Sequence, residues 1–129
     1  MLRAGELIEA VSVPVLEGYQ GYSKVGVRNA MVIATAGVCL VTDVPTRTLR
    51  VALGSVGPVI LRAPAAEAYA AASVDWDERR ATDEVVAEFG RLTAVAARPI
   101  DDHRSTAAYR RRAIEVLAGR QLRRAFPYG

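Results

Sequence analysis

The spacing of apolar and polar positions changes near residue 58. Before it, apolar residues alternate or gather in short β-branched runs; after it, they recur at helical spacing. Residues 7–13 alternate loosely and predict a lead-in strand, which Pro14 ends because it has no N–H to give a ladder. A loop with Gly18 and Gly21 follows, and then YSKVGVR from Tyr22. On a strand, Tyr22, Lys24 and Gly26 share one face and Ser23, Val25 and Val27 the other, with the valines toward the core. Residues 29–42 are strongly apolar. The first turn allows a helix, and Gly37 with the β-branched residues favours a buried strand for the remainder. Residues 43–48, with Pro45, form a turn. Leu49, Val51 and Leu53 then alternate with Arg50 and Ala52, which predicts an antiparallel hairpin.

Pro64 suits the first turn of a helix over residues 65–72. The polar loop 73–80 holds Trp76, expected to fold onto a neighbour. Thr82 caps a second helix with Asp83 and Glu84 in its first turn, an apolar stripe of Val85, Phe89, Leu92 and Ala96, and Arg98 and Pro99 at its end. An Asp-rich turn leads to Ser105 or Thr106 as cap of a third helix. That helix is expected to bury Tyr109, Ala113, Val116, Leu117, Leu122 and Phe126 and to point Arg111, Arg112, Glu115 and Arg123 away. Strands first and helices after predict an α+β fold: a small three-stranded antiparallel sheet packed against a three-helix bundle. The expected organisation is one domain over 1–129, with lead-in strand and loop at 1–21, sheet at 22–54 and helices at 64–126.

Charge changes this picture little. The net +3 comes from sixteen arginines and one lysine, Lys24, and is weak steering over a mixed surface. The single Cys39 excludes an intrachain disulfide and reads as a buried, inert thiol. No apolar run is long enough to cross a bilayer and no signal-peptide pattern is present, so a cytoplasmic location is expected.

Candidate chemistry is sparse. Asp101-Asp102-His103 is the one acid/His cluster, but three consecutive side chains seldom converge on one ion; Asp102 is expected to pair with an arginine or stabilise the helix start. The run Arg110-Arg111-Arg112 lacks the aromatic pattern of a nucleic-acid reader and reads as a solvated or salt-bridging face. No dinucleotide fingerprint, P-loop, GxSxG or HExxH is present. Tyr22 and Lys24 share a strand face just after a glycine loop, where a ring and a cation could face a planar ligand or an anion, although spacing alone favours an ordinary surface pair.

Several separated motifs carry a resemblance over nearly the whole chain. They are LRAGELIEAVSVP, the Tyr-x-Lys strand at Tyr22 and Lys24 with Arg28 following, Ala52-Leu53-Gly54, Arg62-Ala63, and Asp102-x-Arg104 leading to Ala108-Tyr109-Arg110-Arg111. In this order they resemble the C-terminal domain of the FAD-binding medium subunit of molybdenum hydroxylases, the carbon monoxide dehydrogenase and xanthine dehydrogenase family. The resemblance implies a three-stranded sheet with three helices, bordering the isoalloxazine ring of FAD with Tyr22, Lys24 and Arg28 nearest it. It implies an oxidoreductase in which electrons pass from a molybdopterin subunit through an iron–sulfur subunit to FAD. It also implies two further flavin-binding domains whose glycine-rich segments hold the pyrophosphate, and nothing in these 129 residues matches those segments. The chain is then a fragment of a longer subunit, a separately encoded piece that joins a partner, or a stand-alone small-molecule-binding or catalytic module or homo-oligomeric scaffold that has lost the flavin.

Overall fold

The computed structural model describes residues 3–28 and 32–127. Four strands come first: β1 (Gln20–Val25), β2 (Ala36–Asp43), β3 (Thr48–Gly54) and β4 (Leu61–Arg62). Three helices follow: α1 (Pro64–Ser73), α2 (Asp83–Ala96) and α3 (Ala107–Ala125). The strands form one antiparallel sheet in the order β1-β2-β3-β4. The fold is α+β as expected, but the sheet has four strands and not three. The fourth is two residues long, too short to show a period; the corner at Ser55–Pro58 turns it back so that Leu61 pairs with Leu53.

The β2–β3 hairpin follows from the alternation that predicts it. Val38, Leu40 and Thr42 face inward beside Leu53, Val51 and Leu49 of the partner strand. On β1, Ser23 and Val25 face inward and are half-buried, while Tyr22 and Lys24 are exposed. α3 lies across β2 and β1, α1 lies on β3, and α2 packs against both helices. Phe89, Ile114, Leu122, Leu40 and Leu53 are fully buried between the layers.

Helix ends follow their caps. Thr82 accepts from Val85 N–H and Thr106 from Tyr109 N–H, each satisfying a donor the first turn leaves free. Pro64 opens α1, and Arg98 donates to the carbonyls of Val95 and Ala97 at the end of α2. Trp76 folds edge-on against Phe126 at 5.1 Å between centroids and donates its indole N–H to Ala71 O.

Several expectations need correcting. Residues 7–13 form no ladder with any described residue, because the described residues offer that segment no neighbouring strand. The helical first turn expected from residue 29 does not appear at 32–35; residues 29–31 lie outside the described residues. Cys39 is half-buried, since it faces the side of the sheet without helices. On α2 the buried line is Val86, Phe89, Gly90, Thr93 and Ala94, with Val85, Leu92 and Ala96 only flanking it. On α3 Tyr109 is exposed and Val116 half-buried, whereas Arg110 and Gln121 are buried.

Candidate functional site

Helices cover one face of the sheet, and the strand alternation decides what the other face carries. Across it runs the row Tyr22, Cys39, Ala52 and Arg62, one residue from each strand. Beside it runs the row Lys24, Gly37 and Gly54. Small side chains therefore floor a shelf. Tyr22 and Lys24 stand at its β1 edge and Arg62 at its β4 edge.

Tyr22 is 61% exposed and its ring leans over Gly37. A Cβ at Gly37 would lie 2.9 Å from the phenol oxygen, so only glycine lets the ring settle there. Lys24 Nζ donates to Val32 O at 3.0 Å, which ties the cation to the β1–β2 connection. At the far edge Arg62 makes two hydrogen bonds to Glu67, at 2.7 and 2.6 Å. Glu67 also accepts from Val51 N–H at 3.0 Å, supplying the partner that the short β4 does not. Burial opposes ionisation of Glu67, but the bonds from Arg62 and Val51 outweigh it and hold the carboxyl below its ordinary value. Arg28 lies past the end of β1, exposed. The structure thus brings Tyr22 and Lys24 onto one face and leaves Arg28 outside the ladder.

The shelf fits a planar group: an aromatic plate, a cation two residues along the same face, and a floor of glycine, alanine and cysteine. It does not fit the diphosphate of a dinucleotide. No described helix starts from a glycine-rich turn after a strand; α1 begins at Pro64 and the other two follow Thr caps.

The other candidates resolve into structure. Asp102 Oδ1 accepts from Arg104 N–H and Ser105 N–H, and Arg110 Nη2 donates to its Oδ1 and Oδ2 at 2.7 and 2.8 Å. The Arg104 N–H is the main reason its carboxyl lies below the ordinary value; burial opposes this and Arg110 assists it. Arg110 Nη1 also donates to Thr35 O and Ser55 O, both at 2.8 Å. One buried guanidinium thus ties α3 to the start of β2, the end of β3 and the Asp102 turn, leaving its Nε without a partner among the described residues. His103 is exposed, and no group of acidic, His or Cys side chains with metal-site geometry occurs among the described residues. Sequence reasoning also missed a second buried polar link. Tyr19 Oη donates to Gln121 Oε1 at 2.6 Å, and Gln121 Nε2 bonds Ser23 Oγ.

Among the described residues no helix is long and apolar enough to cross a membrane. Similar proteins share this architecture. The glyceraldehyde dehydrogenase medium chain of Sulfolobus acidocaldarius is 29% identical over 116 residues, covering 88% of this chain and 39% of its own length. A carbon monoxide dehydrogenase of Hydrogenophaga pseudoflava, in a form lacking the Mo-pyranopterin moiety of the molybdenum cofactor, superimposes with a TM-score of 0.67. It is 27% identical over 82% of this chain and 36% of its own. Quinoline 2-oxidoreductase of Pseudomonas putida 86 shares the fold at a TM-score of 0.71 and 15% identity, over 88% of this chain and 38% of its own. The chain therefore spans well under half the length of these relatives. Residues 22–125, from the strand that carries the shelf to the end of α3, match the model of one family, and the chain belongs to it: the C-terminal domain of the CO dehydrogenase flavoprotein.

Proposed function

We propose that this chain is the flavin-bordering domain of a molybdenum hydroxylase-type oxidoreductase. Its uncovered sheet face lies against the isoalloxazine ring of an FAD held mainly by other flavin-binding domains. The observation that carries the reading is the shelf, where Tyr22 lies over Gly37 and Lys24 projects from the same face. Tyr22 and Lys24 would border the ring, with Arg28 beyond them toward its polar rim. Bound there, FAD supplies the capacity to take up electrons and pass them on. This chain's residues exclude water from one side of the ring and place a positive charge near it. A cation so placed favours the reduced, more negative flavin. The electron donors on this reading are a molybdopterin subunit and an iron–sulfur subunit in one cytoplasmic assembly.

That no diphosphate site occurs among the described residues sets the test. FAD titrated into the isolated chain, followed by flavin absorbance and fluorescence, gives no tight stoichiometric binding. The same titration with the chain joined to the flavin-binding domains gives a stoichiometric flavoprotein. Tight binding by the isolated chain contradicts the reading.

A further inference from the structure

Residues 7–15 make no hydrogen bond with any described residue. Leu7, Val11, Val13 and Val15 stand on alternate positions, so on a strand they share one face with Glu9; they are 92%, 76%, 75% and 97% exposed. Nine residues of strand reach about 30 Å, longer than most strands in globular proteins. An uncovered apolar strand of that length is an association site or an aggregation hazard.

The domain's own edges do not suit it. Beyond β1 the helix side carries Arg124, which donates to Ser23 Oγ, so an added strand would lay its apolar face beside a guanidinium. β4 is two residues long, and the Arg62–Glu67 ion pair occupies that flank. A second copy offers the same two edges. Downstream, Glu17 O and Tyr19 O accept from Val44 and Thr42 N–H, so the chain leaves the sheet at the hairpin end. The relatives, by contrast, carry more than half their length outside the matched region.

We infer that residues 7–15 are a β-strand that adds to the free edge of a sheet in the flavin-binding domains, burying its Leu7-Val11-Val13-Val15 face there. The identity of the host rests on the function proposed above. As the added edge strand, the segment is not ended by Pro14, contrary to the expectation from sequence alone; the proline fixes the pairing phase instead. It has no N–H, so the even-numbered backbone groups face away from the host and the odd-numbered ones bond to it.

Residue-resolved amide exchange on the isolated chain, and on the chain assembled with the flavin-binding domains, tests this. In the assembly the N–H groups of Leu7, Glu9, Val11, Val13 and Val15 slow by about a hundredfold or more while those of Ile8, Ala10 and Ser12 stay faster. Val11→Lys with Val13→Lys weakens assembly by about tenfold or more. It leaves the melting temperature of the isolated chain unchanged, because these exposed side chains sit outside the core. Unprotected odd-numbered amides in the assembly overturn the inference, and so does concentration-dependent protection in the isolated chain, which would mark a second copy as host. Flavin absorbance on the same sample separates the two claims. Protection without flavin keeps the strand and removes the flavin reading; flavin without protection does the reverse.

Discussion

Gly90→Ala and Gly119→Ala make the same change in the interior of two packed helices and are expected to move stability in opposite directions. At Gly90 a Cβ would lie 2.6 Å from the backbone carbonyl oxygen of Glu115 on α3. Ordinary contact begins near 3.4 Å, so α2 and α3 would have to part by about 0.8 Å. A carbonyl inside a helix cannot swing aside as a side chain can. The strain belongs in the upper part of the range for overpacking, about 2–3 kcal/mol. Alanine's helix propensity returns about 1 kcal/mol, so the net loss is about 1–2 kcal/mol. For a domain of this size that lowers the melting temperature by about 4–7 °C. At Gly119 the Cβ meets Val86 Cγ1 and the Val86 carbonyl oxygen at 3.4 Å each, ordinary contact distances that ask neither helix to move. There the propensity gain dominates, and the melting temperature rises by about 2–4 °C. Calorimetric or circular-dichroism melts of the two variants beside the parent chain decide it. A Gly90→Ala chain as stable as the parent would show that the α2–α3 approach is looser than described.

Three further substitutions, with Arg111→Met as a control, probe the polar links. Glu67→Gln removes a carboxylate whose folded pKa is depressed, so its stabilising contribution is present above the ordinary glutamate value of 4.5 and fades as pH falls through the lower, folded value. Urea midpoints of parent and variant should therefore differ at pH 7 and converge on acidification; a constant gap would contradict the Arg62–Glu67 account. Tyr19→Phe leaves Gln121 Oε1 buried without its donor and should cost about 1–2 kcal/mol in urea unfolding. Arg110→Met strands the carbonyls of Thr35 and Ser55 and should lower the melting temperature, whereas Arg111→Met, on the exposed face one residue along, should leave it within error.

The legible parts of this fold were those with local signals. The caps at Thr82 and Thr106, the prolines at 64 and 99 and the alternation through β2 and β3 each act within a few residues. What stayed hidden depends on contacts distant in sequence. Two-residue β4 exists only because a corner returns it to β3. Arg110 and Gln121 are polar, yet both fall on the stripe through Ala113, Ile114, Leu117 and Leu122; extending that period in each direction would have found them. Counting Gly90 and Thr93 as core would likewise have rotated the α2 stripe to its observed line. The lead-in at residues 7–13 alternates as a strand should, but pairing is a property of two strands and no described residue supplies the second. The shelf was half legible. The Tyr22 and Lys24 face follows from alternation alone, whereas Gly37, Cys39, Ala52 and Arg62 join it only through register.

The central claim is that the Tyr22–Lys24 face borders a flavin held by other domains. Flavin absorption and fluorescence of the assembled flavoprotein test it most directly, comparing Tyr22→Ala and Lys24→Ala with Tyr109→Ala, an exposed tyrosine on α3 away from the shelf. The claim holds if both shelf variants shift the flavin bands and relieve quenching while Tyr109→Ala matches the parent. Identical flavin spectra in all four proteins would contradict it.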